Sequence, residues 1–99
     1  MSFEVKILKR ADLELEEIFL YYESISNDLA DKFLSEYENH LNTLENIPFF
    51  EVKYNIIRKL PIKKFPYTIH FRVEENEKIV YIEAVSCDYQ DPNTTKVKT

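Results

Sequence analysis

At 99 residues, with 44% apolar side chains and a net charge of −5, the chain is long enough for one hydrophobic core and too apolar to stay disordered. It has no glycine and one cysteine, Cys87, which excludes Gly-rich phosphate loops and any internal disulfide. No apolar run approaches the roughly 18 residues of a membrane span. Residues 1–6 lack a signal-peptide core, so the expected setting is the reducing cytoplasm.

The charge is unevenly spread. Residues 1–50 carry four Lys/Arg against eleven Asp/Glu, whereas residues 53–72 carry six basic residues and no acidic one. The plain reading of that basic window is a solvated strand face. The sharper one is a site for a polyanion or an acidic partner.

In chain order, Phe3, Val5 and Ile7 alternate with charged residues and predict a half-buried strand with those three inward. Asp12 can cap a first helix over 12–25, with Leu15, Ile18, Tyr22 and Ile25 on its apolar face. Ser26, Asn27 and Asp28 then offer a new cap, and Ala30, Phe33, Leu34, Tyr37, Leu41 and Leu44 predict a second helix over 28–46. So short a connection implies an antiparallel helical hairpin. Residues 49–54 read as a connection with exposed aromatics Phe49, Phe50 and Tyr54.

A strand over 56–62 follows, with Pro61 placing it at an edge or bulge. Tyr67, Ile69, Phe71 and Val73 form the inward face of the next strand, leaving Thr68, His70 and Arg72 on the other. Polar residues 74–78 make a hairpin loop, and 79–85 is apolar enough for a central strand. Without glycine, positive-φ turn positions should fall to Asn, Asp or Pro. The expected fold is α+β in the order β-α-α-β-β-β. The helical hairpin covers one face of a mostly antiparallel sheet made of the N-terminal strand and a three-stranded meander. One domain spans 1–99, with 91–99 a flexible tail.

This order and several motifs resemble the RelE/ParE toxin superfamily, particularly its ParE-like branch, also described as plasmid stabilisation proteins. The resemblance rests on Ala11, Leu15-Glu16-Glu17-Ile18 and Tyr21-Tyr22; on Arg58-Lys59-Leu60-Pro61-Ile62; on Phe65-Pro66-Tyr67-Thr68-Ile69-His70-Phe71-Arg72-Val73; and on the closing Asp91-Pro92. It implies a growth-inhibiting toxin component of a type II toxin–antitoxin system, neutralised by a cognate antitoxin. ParE-like members bind and poison DNA gyrase, while RelE-like members cut mRNA on the ribosome without a metal.

The sequence departs from the nuclease pattern. Thr68 follows Tyr67 where RelE-like nucleases carry an arginine, and Cys87 and Gln90 stand where ParE-like proteins often carry His and Arg. The reading therefore leans away from an enzyme. A ParE-like binding toxin comes first, with an mRNA endonuclease and a degenerate, non-toxic interaction protein as alternatives.

Catalytic candidates are His70, Arg72 and Tyr89, because metal-free RNA cleavage needs a proton-transfer group and a cation for the phosphorane charge. The plainer readings are an exposed sheet histidine and a packed tyrosine. Arg58, Lys59, Lys63 and Lys64 are the candidates for binding target or antitoxin, although Arg58 shares its face with Leu60 and Ile62, which equally suits a structural ion pair. Cys87 has no histidine partner and reads as inert. His40 reads as a solvated helix residue. No His/Cys/Asp spacing suggests a metal, and no cofactor is implied.

Overall fold

The computed structural model describes residues 2–50 and 52–89. Gln90, the Asp91-Pro92 ending and the expected tail lie outside the described residues. Seven elements follow in order: β1 (Glu4–Ile7), α1 (Lys9–Ile25), α2 (Asn27–Asn46), β2 (Val52–Tyr54), β3 (Ile57–Pro61), β4 (Tyr67–Glu74) and β5 (Ile79–Cys87). The sheet order is β1-β5-β4-β3-β2, with β1 parallel to β5 and the remaining neighbours antiparallel. The α+β layout and the central position of β5 are as expected. The fifth strand, β2, is not.

The helices share one residue at their junction. The Ser26 N–H donates to the Tyr22 carbonyl and closes α1, while its side-chain Oγ accepts from Leu29 N–H and caps α2. At the other end, α1 begins three residues before the expected cap. Leu8 precedes it with no side-chain bond, and Asp12 sits in the first turn, where its charge favours the positive helix end. Ile25, expected inward, is exposed because it is the last residue of its helix. Ile7, at the end of the edge strand β1, is exposed too, whereas Phe3 is buried and Val5 half-buried.

The core lies between helices and sheet. Tyr22, Phe33, Phe65 and Tyr67 pack edge-on and tilted, joining α1, α2, the β3–β4 turn and β4. Ile69 and Phe71 face the same core from β4, and Arg58 and Leu60 stand opposite them on β3. Beyond the end of β1, the Glu14 carboxylate accepts the Val85 N–H, a donor that no strand partner takes up.

β2 forms because Asn55, at φ 48°, opens a two-residue turn that folds Tyr54 back against Ile57. Ile56, expected in the strand, is therefore an exposed turn residue. β2 reaches only Ile57 and Arg58, so Pro61 pairs with Thr68 on one side and has a free outer edge. The other positive-φ residues are Lys64 and Lys78, at 74° and 60°. That corrects the expectation of Asn, Asp or Pro, since two of the three positions are lysines and a proline ring holds φ at about −65°. Each turn puts a Cβ-bearing residue in a conformation costing about 1–2 kcal/mol.

Candidate functional site

The sheet face away from the helices was expected to be wet, yet it has a second, smaller core. Ile57 and Ala84 are fully buried there with Tyr54 against them. His70, between Lys59 and Ala84 in the ladder, is 1% exposed. Thr68 and Ser86, paired across β4 and β5, are also buried. The reason is β2, whose Tyr54 side chain covers this face.

His70 is held at both nitrogens. The Tyr54 hydroxyl lies 2.8 Å from Nδ1 and the Ser86 hydroxyl 2.6 Å from Nε2. A neutral imidazole has one donor and one acceptor, so one hydroxyl donates and the other accepts. Burial, then the nearby Lys59 and Arg10 charges, push the imidazole pKa down to about 4, against a smaller opposing pull from Asp88. The ring is neutral at neutral pH and closed off on both sides.

Arg72 lies on the same face but is committed elsewhere. Its Nε donates to Glu83 and its Nη1 to Glu74, both at 2.6 Å, and its guanidinium stacks 4.1 Å from the Tyr81 ring centre. Glu83 reaches it because of a β-bulge. The register passes from His70↔Ala84 to Phe71↔Ile82 and leaves Glu83 unpaired. Tyr89 is 86% exposed after β5, and the half-buried Cys87 thiol is free.

The four basic candidates do not form one patch. Arg58 points to the helix side, donates to the Phe50 carbonyl at 2.8 Å and lies over the Phe49 ring. Lys59 takes the opposite face, its ammonium 5.6 Å from the Tyr54 ring centre. Lys63 and Lys64 occupy the β3–β4 turn. There the Lys63 N–H donates to His40 Nε2 at 3.0 Å, so His40 clips this turn to α2 and is half-buried rather than solvated. Lys64 borders an open groove of about 490 Å³ with Leu29, Lys32 and Phe65. Of the aromatics expected to be exposed, Phe49 is; Phe50 packs edge-on against Phe71 and Tyr54 against His70.

Sequence reasoning missed Ser86 and Glu83 and read Tyr54 as an exposed aromatic rather than a partner of His70. The signal for Tyr54 was present in Val52-Lys53-Tyr54 followed by Asn55, a short strand and a turn former. Ser86 and Glu83 depend on a register and a bulge that no local pattern reveals. Among the described residues, no group of three or more His, Cys, Asp or Glu could hold a metal, and no helix is long and apolar enough to cross a membrane.

The helical hairpin laid over one face of a five-stranded mixed sheet is a fold shared with solved toxin structures. A chain from the chromosomal ParDE TA system of P. aeruginosa superposes with a TM-score of 0.74 at 18% identity, over 87% of this chain and 96% of that one. A mutant of the E. coli toxin RelE in its free state gives 0.60 at 12% identity, over 90% and 86%. No curated protein matches the sequence. The family model described as ParE toxin of type II toxin–antitoxin system, parDE, matches residues 5–92, and the chain belongs to that family.

Proposed function

We propose that the protein is the toxin component of a type II toxin–antitoxin pair that acts by binding a cellular target and is neutralised by a cognate antitoxin. Family membership supports the toxin role. The engagement of Arg72 by Glu83 and Glu74 supports binding over cutting. A metal-free ribonuclease needs an available cation beside an accessible proton-transfer group. Here the cation is paired and the imidazole beside it is buried.

DNA gyrase is the target that the ParE resemblance suggests, and the ribosome with its mRNA the one that RelE suggests. Lys63 and Lys64 in the exposed turn are the residues we assign first to contact with target or antitoxin, with Lys59 on the open sheet face and Arg58 on the helix side as separate, secondary candidates. Tyr89 is the accessible one among the catalytic candidates. The lone thiol suits a cytoplasmic setting.

The test is growth on tightly induced expression, with and without the adjacent open reading frame. Arrest relieved by the neighbour supports the reading, and supercoiling and RNA-cleavage assays then separate the two targets. Folded protein that causes no arrest overturns it in favour of an interaction-only member of the fold.

A further inference from the structure

The turn between β3 and β4 is held in a shape that one of its residues opposes. The Phe65 N–H donates to the Ile62 carbonyl across Lys63 and Lys64, and Lys64 sits at φ 74°, a position that favours glycine. Both ends of the turn are fixed from inside, by the buried Ile62 and by Phe65 among the core aromatics. Its middle is reached from α2. There His40 Nε2 accepts the Lys63 N–H at 3.0 Å, across 23 residues of chain. The same turn walls the open groove of about 490 Å³ through Lys64 and Phe65, while Leu29, Lys32 and Glu36 of α2 form the other wall. His40 is one helical turn beyond Glu36, so its bond closes the gap between the two walls at one end.

We propose that His40 is the positioning residue of the lysine turn: it latches Lys63 and Lys64 against α2 in the arrangement that meets a partner, and protonation of its ring opens the latch. The proposal rests on the reading that this turn touches target or antitoxin. An Nε2 that accepts leaves the hydrogen of the neutral ring on Nδ1. A further proton has only Nε2 to take, and there it faces the Lys63 N–H, donor against donor. The Lys63 and Lys64 ammonium groups on the turn oppose the new charge, and Glu36 on α2 favours it. The Ile62–Phe65 bond and the aromatic anchors do not involve the imidazole, so the release is local to the two lysines. Histidine is the side chain that gains its charge within about pH 5 to 8. The second histidine of the chain, His70, stays neutral down to about pH 4 and does not titrate in that window.

The test has two arms. In the first, heteronuclear NMR of the full chain follows the His40 ring and the Lys63 amide from about pH 8 to about pH 5. The expected result is an unprotonated Nε2 at the alkaline end. The Lys63 amide should shift with the His40 titration, and its exchange should quicken relative to the neighbouring turn amides. A hydrogen on Nε2 at about pH 8, or a Lys63 amide indifferent to the titration, overturns the latch. The second arm titrates the purified product of the adjacent open reading frame against the chain. His40→Ala should weaken binding about three- to ten-fold, the worth of one hydrogen bond. His40→Gln, whose amide oxygen accepts without titrating, should restore most of that loss. Toward about pH 5 the parent should lose affinity relative to the glutamine variant, although a new positive charge beside two lysines would by itself raise affinity for an acidic partner. In a Lys63→Ala, Lys64→Ala background, His40→Ala should cost nothing further. Weak binding by the lysine variant with undiminished binding by His40→Ala overturns the positioning role and leaves the turn reading standing. Undiminished binding by the lysine variant overturns the turn reading itself, and the positioning role with it.

Discussion

The hydroxyl of Tyr54 on the edge strand β2 meets Nδ1 of His70 on β4 across the width of β3, at 2.8 Å. The other ring nitrogen is taken by Ser86 on β5. One imidazole thus ties the last-added edge strand to the middle of the sheet, and its burial there requires the neutral form, because desolvation disfavours the charged ring.

That requirement sets an acid dependence. The His70 pKa is near 6.5 in the unfolded chain and about 4 in the fold. Between those values the unfolded chain takes up a proton that the folded chain refuses. The contribution is therefore complete above about pH 6.5, falls as pH drops toward 4, and amounts to about 3 kcal/mol. Urea titrations at neutral pH and near pH 4 should show this loss in the parent chain. His70→Gln, which keeps polar atoms but has no such titration, should show a correspondingly smaller acid loss. An identical acid loss in the variant would remove His70 as its source.

Tyr54→Phe keeps the ring that covers Ile57 and Ala84 and removes only the hydroxyl. It should cost about 1–2 kcal/mol, the value of a bond whose partner stays buried. Amide exchange should accelerate at β2 before it does at β4. Uniform acceleration through the sheet would mean that the bond does not anchor the edge specifically.

These residues also show what a single sequence conceals. The alternation in β4 placed Ile69 and Phe71 correctly in the core and put Thr68, His70 and Arg72 together on the opposite face. It could not show that this face is partly covered, because the covering strand is three residues long and lies beyond a turn made by Asn55. Helical spacing was more legible, since Ile18, Tyr22, Phe33 and Tyr37 repeat their burial over many turns. The candidate site was least legible. Whether Arg72 is free or paired depends on a bulge that turns Glu83 toward it.

Tyr37 offers a stability test with the opposite sign. Its ring is packed in the core at 2% exposure, but its hydroxyl finds no partner among the described residues. Tyr37→Phe removes an uncompensated polar atom and should leave stability unchanged or raise it by about 1 kcal/mol. Tyr37→Ala should cost about 3–5 kcal/mol through the cavity. A loss of more than about 1 kcal/mol in the phenylalanine variant, read from the urea midpoint, would indicate that the hydroxyl is satisfied.

Arg72 separates structural from functional roles on the open face. Its two carboxylate bonds and the Tyr81 stack are partly buried, so Arg72→Ala should cost about 1–3 kcal/mol. Any loss of growth arrest should then follow the loss of folded protein. Lys63→Glu combined with Lys64→Glu should behave in the reverse way, because both side chains are exposed and the His40 clip uses only the Lys63 backbone. Urea stability of that double variant should stay within about 0.5 kcal/mol of the parent, while affinity for an acidic partner falls at least about ten-fold in a pull-down titration. Arrest lost in a fully stable Arg72→Ala protein, with the lysine variant still active, would move the functional surface from the turn to the open sheet face and restore the cutting mechanism as the better account.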